Sequence, residues 1–107
     1  MKMKVFISQA MNGVPEEEIM ELREKATKYL EKRFSEFEIE VIDSYHHKDV
    51  PNNAGRLWYL GTSIRMMGEA DIVVFLYNWV SAKGCSIEHN VCKSYGIPHM
   101  FLDYSDI

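Results

Sequence analysis

The stretch that most constrains the fold lies past the middle of the chain: Ala70-Asp71-Ile72-Val73-Val74-Phe75-Leu76-Tyr77-Asn78-Trp79. From Ile72 to Leu76 it is wholly apolar and rich in β-branched and aromatic residues. A strand buried on both faces of a parallel sheet reads this way. A polar loop follows, then Lys83-Gly84-Cys85-Ser86-Ile87-Glu88, where a helical pattern begins with Ile87, Val91 and Tyr95 on one side. Glu88 is thereby expected in the first turn of a helix, just beyond the carboxyl end of a central strand. Open α/β sheets bind their ligands at that edge. Acidic residues also gather in first turns because they complement the helix dipole. Position alone therefore leaves two roles for Glu88, a capping group or a reactive carboxylate.

The rest of the chain alternates strand and helix patterns around this centre. Lys4 to Ile7 read as a first buried strand, running into the small polar loop Ser8-Gln9-Ala10-Met11-Asn12-Gly13. Val14-Pro15-Glu16-Glu17-Glu18 opens a helix, with proline and acids where a first turn favours them. Its core stripe is Ile19, Leu22, Ala26, Tyr29, Leu30 and Phe34. Phe37 to Ile42 alternate as an edge strand with one wetter face. The polar stretch from Asp43 to Gly55 is long for an idle loop in a small domain. Leu57, Leu60, Gly61, Ile64, Met67 and Gly68 mark a second helix, whose two glycines would let it approach the sheet closely. After the helix carrying Glu88, Gly96-Ile97-Pro98 supplies a glycine cap and a proline stop. His99 to Leu102 form the last strand.

Four strands alternate with three helices, and right-handed crossovers turn that order into a parallel sheet covered on both faces. The expected architecture is one domain over residues 1–107: a three-layer, Rossmann-like α/β fold with a four-stranded parallel sheet in the order 2-1-3-4. The chain reverses direction between the first and third strands, so a crevice is expected between Ser8-Gln9 and the segment from Tyr77 to Glu88.

Composition narrows the function. With 107 residues and a net charge of −4, the chain holds no lysine or arginine cluster, which argues against unaided nucleic-acid binding. No apolar stretch approaches the length of a membrane span, and the apolar run after Lys4 is too short for a signal-peptide core. Cys85 and Cys92 lie roughly 10 Å apart along one helix and cannot pair there. Two free cysteines and no export signal point to a cytoplasmic location. His46, His47, His89 and His99 lack the spacing of a zinc site, so no metal is expected. Neither G-x-G-x-x-G nor G-x-x-x-x-G-K-[ST] occurs, so no dinucleotide cofactor is expected. Cys85 reads as a small buried hydrophobe. Trp79, following the central strand, reads either as core or as the wall of a pocket for a flat base.

Three pieces in order carry a family resemblance: Val5-Phe6-Ile7-Ser8-Gln9-Ala10-Met11-Asn12-Gly13, then Glu69-Ala70-Asp71-Ile72-Val73-Val74-Phe75, then Gly84-Cys85-Ser86-Ile87-Glu88 with Tyr95-Gly96-Ile97-Pro98. Together they resemble the nucleoside 2-deoxyribosyltransferase family, especially its short bacterial and phage-encoded relatives. The resemblance implies a flavodoxin-like fold and a nucleophilic glutamate at Glu88, which attacks the anomeric carbon of a nucleoside or nucleotide and forms a covalent sugar ester. The sugar then passes to another base or to water. Ser8, Gln9, Asn12 and Gly13 would line the sugar or phosphate, with Trp79, Ser81 and Gly84 completing the substrate site. Related enzymes finish their sites with a neighbouring subunit, so a homo-oligomer is expected. The chain departs from the family where Ser63 stands at a helper aspartate, Ala82, with Ser81 beside it, at an acidic or serine position, and Phe6 at an aromatic hydroxyl. It also has four strands where the characterised enzymes have five. A non-catalytic ligand-binding or interaction module is the alternative.

Overall fold

The computed structural model describes residues 1–107. Strand β1 (Lys2–Ser8) leads through the loop at Gly13 into helix α1 (Glu16–Arg33), and β2 (Glu38–Val41) follows. Helix α2 (Arg56–Met67), β3 (Ile72–Leu76), a 3-10 turn (Trp79–Ser81), helix α3 (Lys83–Tyr95) and β4 (His99–Leu102) complete the chain. The sheet order is β2-β1-β3-β4 with every pairing parallel. Fold class and strand order both match the sequence reading.

Two apolar layers sandwich the sheet, because successive side chains of a strand point to opposite faces. Val5 and Ile7 of β1 and Val74 and Leu76 of β3 pack with Ala26 and Leu30 of α1. Phe6, Val73 and Phe75 face the other way, against Met67 of α2 and Cys92 of α3. The register sets Ser8 opposite Phe75, so the carboxyl ends of β1 and β3 lie side by side. From there the chain departs towards α1 on one face and α3 on the other.

Local chemistry explains the element ends. Glu16, Glu17 and Glu18 fill the first turn of α1 and Lys32 and Arg33 the last, both favourable to its dipole. Helix α3 stops at Gly96, whose φ of 63° is the left-handed conformation that glycine reaches without a Cβ penalty. At the amino edge of the sheet, Asp71 acts as a clamp. Its backbone N–H donates to the Lys4 carbonyl at 2.8 Å, and its Oδ2 accepts from the Lys4 N–H at 2.7 Å. Asp71→Ala is expected to cost about 1 kcal/mol in chemical denaturation, the usual net worth of one such bond. The clamp lies at the edge of the sheet opposite Glu88.

Several expected details differ. The glycines of α2 do not mediate close approach to the sheet: a Cβ at Gly61 would meet nothing, and one at Gly68 would meet only the Arg65 carbonyl of its own helix. Leu57 stands exposed rather than on the core side, since only Thr62 and Met67 of α2 are fully buried. On α3 the buried face carries Cys85, Glu88 and Cys92, while Ile87 and Tyr95 are turned to solvent. A carboxylate therefore occupies the face that packs on the sheet.

Candidate active site

Glu88 lies in the second turn of α3, past the first turn where the sequence pattern had it. Its carboxylate does not fold back to cap the helix. Instead Glu88 Oε1 accepts a 2.6 Å hydrogen bond from Ser8 Oγ, across to the last residue of β1. The two residues are only 7% and 1% exposed, respectively. The contact ties α3 to the carboxyl edge of β1, beside its junction with β3. A hydrogen bond this short between a hydroxyl and an ionised oxygen belongs to the stronger, charge-assisted class.

Burial is the main influence on this carboxylate. It raises the Glu88 pKa from its ordinary 4.5 to about 6, against the opposing pull of the Ser8 hydrogen bond and the positive charge of Arg23. Near neutral pH the group is ionised but poorly solvated, the condition of a reactive carboxylate. Cys85, one helical turn earlier, responds in the opposite functional sense. Burial, helped by the Glu88 charge, pushes its thiol to about 11 despite the Ser8 hydroxyl beside it. It stays protonated at neutral pH and serves as packing.

Arg23 is the member of this site that sequence patterning passed over. It occupies the buried face of α1 between Ile19 and Ala26 and is only 6% exposed. Its Nη2 donates to Ser44 Oγ at 2.8 Å and to the Ile7 carbonyl at 3.4 Å, while Nε has no partner. Burial lowers the Arg23 pKa, and the negative charges of Asp43 and Glu88 work against that shift. Arginine nonetheless stays charged under all ordinary conditions. A buried cation thus stands near a buried anion without a direct ion pair. Its signal in the sequence was a charged residue inside an otherwise apolar helical stripe.

The crevice between the β1 and β3 loops is a groove of about 360 Å³ whose walls include Gln9, Ala10, Tyr77, Asn78 and Tyr104. Asn78 Oδ1 accepts from the Ala10 N–H at 3.4 Å and joins the two loops. Gln9, one residue past Ser8, donates from Nε2 to the Ile19 carbonyl at 3.4 Å and leaves a buried Oε1 without a partner. A larger groove of about 680 Å³ runs outside α1, with Glu17, Glu21, Glu24 and Asp43 among its walls, and Arg23 at its floor. Glu88 lines neither groove.

The other expected site residues are scattered. Asn12 and Gly13 form an exposed turn closed by the Val14 N–H on the Met11 carbonyl, with Gly13 at φ +78°. Trp79 is half-buried and packs on Phe75, His89 and Phe101, beside the β4 edge and away from the groove. Ser81 is exposed and donates to the Asn78 carbonyl at 2.9 Å. Gly84 faces α2, where an added Cβ would make an ordinary 3.9 Å contact with Leu60. Of the helper positions, Phe6 is core and Ser63 half-buried on α2, while Ala82 precedes α3. No group of three or more His, Cys, Asp or Glu side chains converges as metal ligands do.

Among protein-family models, one described as "Domain of unknown function (DUF4406)" matches residues 3–101. Searches of curated proteins and of solved structures find no match.

Proposed function

The chain belongs to the DUF4406 family, a domain of unknown function, and we propose that it cleaves the N-glycosidic bond of a nucleoside or nucleotide through Glu88. The observation that carries this reading is a buried carboxylate held by Ser8 at the carboxyl edge of β1, with its pKa raised to about 6. Departure of a base leaves positive charge on the sugar's anomeric carbon, and an adjacent carboxylate stabilises and then captures it. In the first step, Glu88 forms a C–O bond as the C–N bond breaks, and the base leaves with the bonding electrons and takes up a proton from water. In the second, water or another base attacks the anomeric carbon and releases Glu88 as carboxylate. Ser8 aims the carboxylate. Arg23 keeps it ionised by its charge.

The likeness to nucleoside 2-deoxyribosyltransferases supports the same chemistry. A second reading, a module that binds a nucleotide-like ligand without turning it over, is favoured by Ser63, Ala82 and Phe6 at the helper positions. Incubation with a panel of nucleosides and their 5′-monophosphates, following free base by chromatography, separates the two. Release of base from at least one compound is expected. A ligand that raises the melting temperature but is never cleaved would favour the second reading.

We also propose a homo-oligomer as the working form. Leu57 is 81% exposed on α2, with Tyr59 exposed on the same helix, and apolar side chains in such positions commonly mark a contact. Light scattering at micromolar concentration is expected to give more than the monomer mass. A monomer there would contradict it.

A further inference from the structure

We infer that His89 and His99 form a binding site for a divalent late-transition ion such as Zn²⁺, with two imidazole ligands from the chain and water at the remaining positions. The site lies where α3 meets the edge strand β4. It stands independently of the N-glycosidic reading.

The fold brings together two residues that the sequence keeps apart. His89 sits within α3 and His99 opens β4, so no ligand spacing is visible along the chain. The parallel pairing of β3 with β4 sets His99 beside Val73, on the sheet face against which Cys92 of α3 packs. The two ring centroids come within 5.3 Å, with 76° between planes. Two imidazoles bonded to one tetrahedral ion, each through a metal–nitrogen bond of about 2 Å, have centroids about 5 Å apart. The pair is already spaced as an ion would hold it.

The hydrogen bonds leave the right nitrogens open. The Ile97 carbonyl can only accept, so Nδ1 of His99 carries the proton and donates to it at 2.9 Å. Nε2 of His99 then keeps its lone pair. A backbone carbonyl that fixes the tautomer in this way is the usual support of a histidine ligand. The buried polar atoms without a partner are Gln9 Oε1, Arg23 Nε and His47 Nδ1. No nitrogen of His89 or His99 is among them, so their unbonded nitrogens are open to solvent and to an ion.

The surroundings select the kind of ion. Phe75, Trp79 and Phe101 pack on His89 with ring centroids at 5.4, 4.7 and 5.4 Å. They restrict where the imidazole can turn, so little freedom remains to be lost on binding. No carboxylate joins the pair as a third ligand. Imidazole donors alone suit zinc, copper or nickel rather than magnesium or calcium. With two protein ligands and the charge of Lys93 bearing on His89, the site is exchangeable rather than a permanent structural centre. When bound, the ion pins the helix that carries Glu88 to the edge of the sheet.

The test is a titration of the full chain with ZnCl₂ at neutral pH, following the histidine ring nitrogens in long-range ¹H–¹⁵N NMR spectra. Nε2 of His99 and one nitrogen of His89 should shift together and saturate at one equivalent, while Nδ1 of His99 keeps its proton. MgCl₂ should leave both rings unmoved, and EDTA should reverse the zinc shifts. His89→Gln and His99→Gln should each weaken zinc binding about tenfold or more, since losing a ligand costs no less than losing its supporting partner. His46→Gln, which removes the His46–Asp43 pair, should bind zinc as the wild type does. The wild-type spectra decide the matter even where a variant fails to fold. If zinc shifts neither ring, if it shifts His46 or His47 instead, or if a folded variant lacking either ligand binds undiminished, the inference is overturned.

Discussion

Glu88→Gln should reduce base release by about three orders of magnitude or more while making the protein more stable at pH 8. The rate falls because an amide cannot form the sugar ester, and loss of a covalent nucleophile is among the most damaging changes an enzyme can suffer. The stability rises because the carboxylate is held where its charge is poorly solvated. Its folded pKa of about 6 lies above the ordinary 4.5. Glu88 therefore favours the folded state most below pH 4.5, and that contribution is lost as pH rises through about 6. By the conversion of about 1.4 kcal/mol per pH unit, the neutral amide should be more stable than the ionised acid by about 2 kcal/mol at pH 8. At pH 4 the two proteins should melt alike. A helix cap behaves oppositely, since its replacement costs stability at neutral pH. Base release by the wild type should also fall below pH 6 as the nucleophile is protonated.

Arg23→Met should destabilise the fold by about 3 kcal/mol, because it strips Ser44 and the Ile7 carbonyl of a buried donor and leaves Glu88 without its nearby positive charge. Two further readouts separate a charge-balancing role from packing. The acid limb of the pH–rate profile should move above pH 6, since Arg23 opposes the upward push of burial on Glu88. Adding Glu88→Gln to Arg23→Met should restore more stability than Glu88→Gln adds to the wild type, a coupling that a double-mutant cycle measures. If the two substitutions are additive and the acid limb does not move, Arg23 is a structural residue only.

The sheet was legible because its signals are local and strong. Ile72 to Leu76 form an apolar run with few alternatives, and the alternation of strand with helix leaves one handedness and one order. Ser8 and Glu88 were legible for the same reason, since both follow from where strands end. Their 2.6 Å contact spans 80 residues of sequence and has no local signature. On α3, Ile87, Val91 and Tyr95 make the more apolar stripe, yet Cys85, Glu88 and Cys92 are the buried residues, so hydropathy alone does not locate its buried face. Trp79 illustrates a different limit: an aromatic after a strand can turn either way. Phe75, His89 and Phe101 hold it near β4, while the groove takes Tyr77 and Tyr104 for its aromatic wall. Pairing a loop tyrosine with one in the tail depends on tertiary packing, which periodicity does not record.

In the proposed reaction Glu88 becomes covalently bonded to a sugar. A nucleoside bearing fluorine at the 2-position tests this most directly, because the electron-withdrawing substituent destabilises the cationic transition state and slows breakdown of the ester. After incubation and acid quench, intact-mass spectrometry should show one sugar added to the wild-type chain, peptide mapping should place it on Glu88, and Glu88→Gln should show none. Base release without any adduct, or an adduct at another residue that persists in Glu88→Gln, would contradict the account.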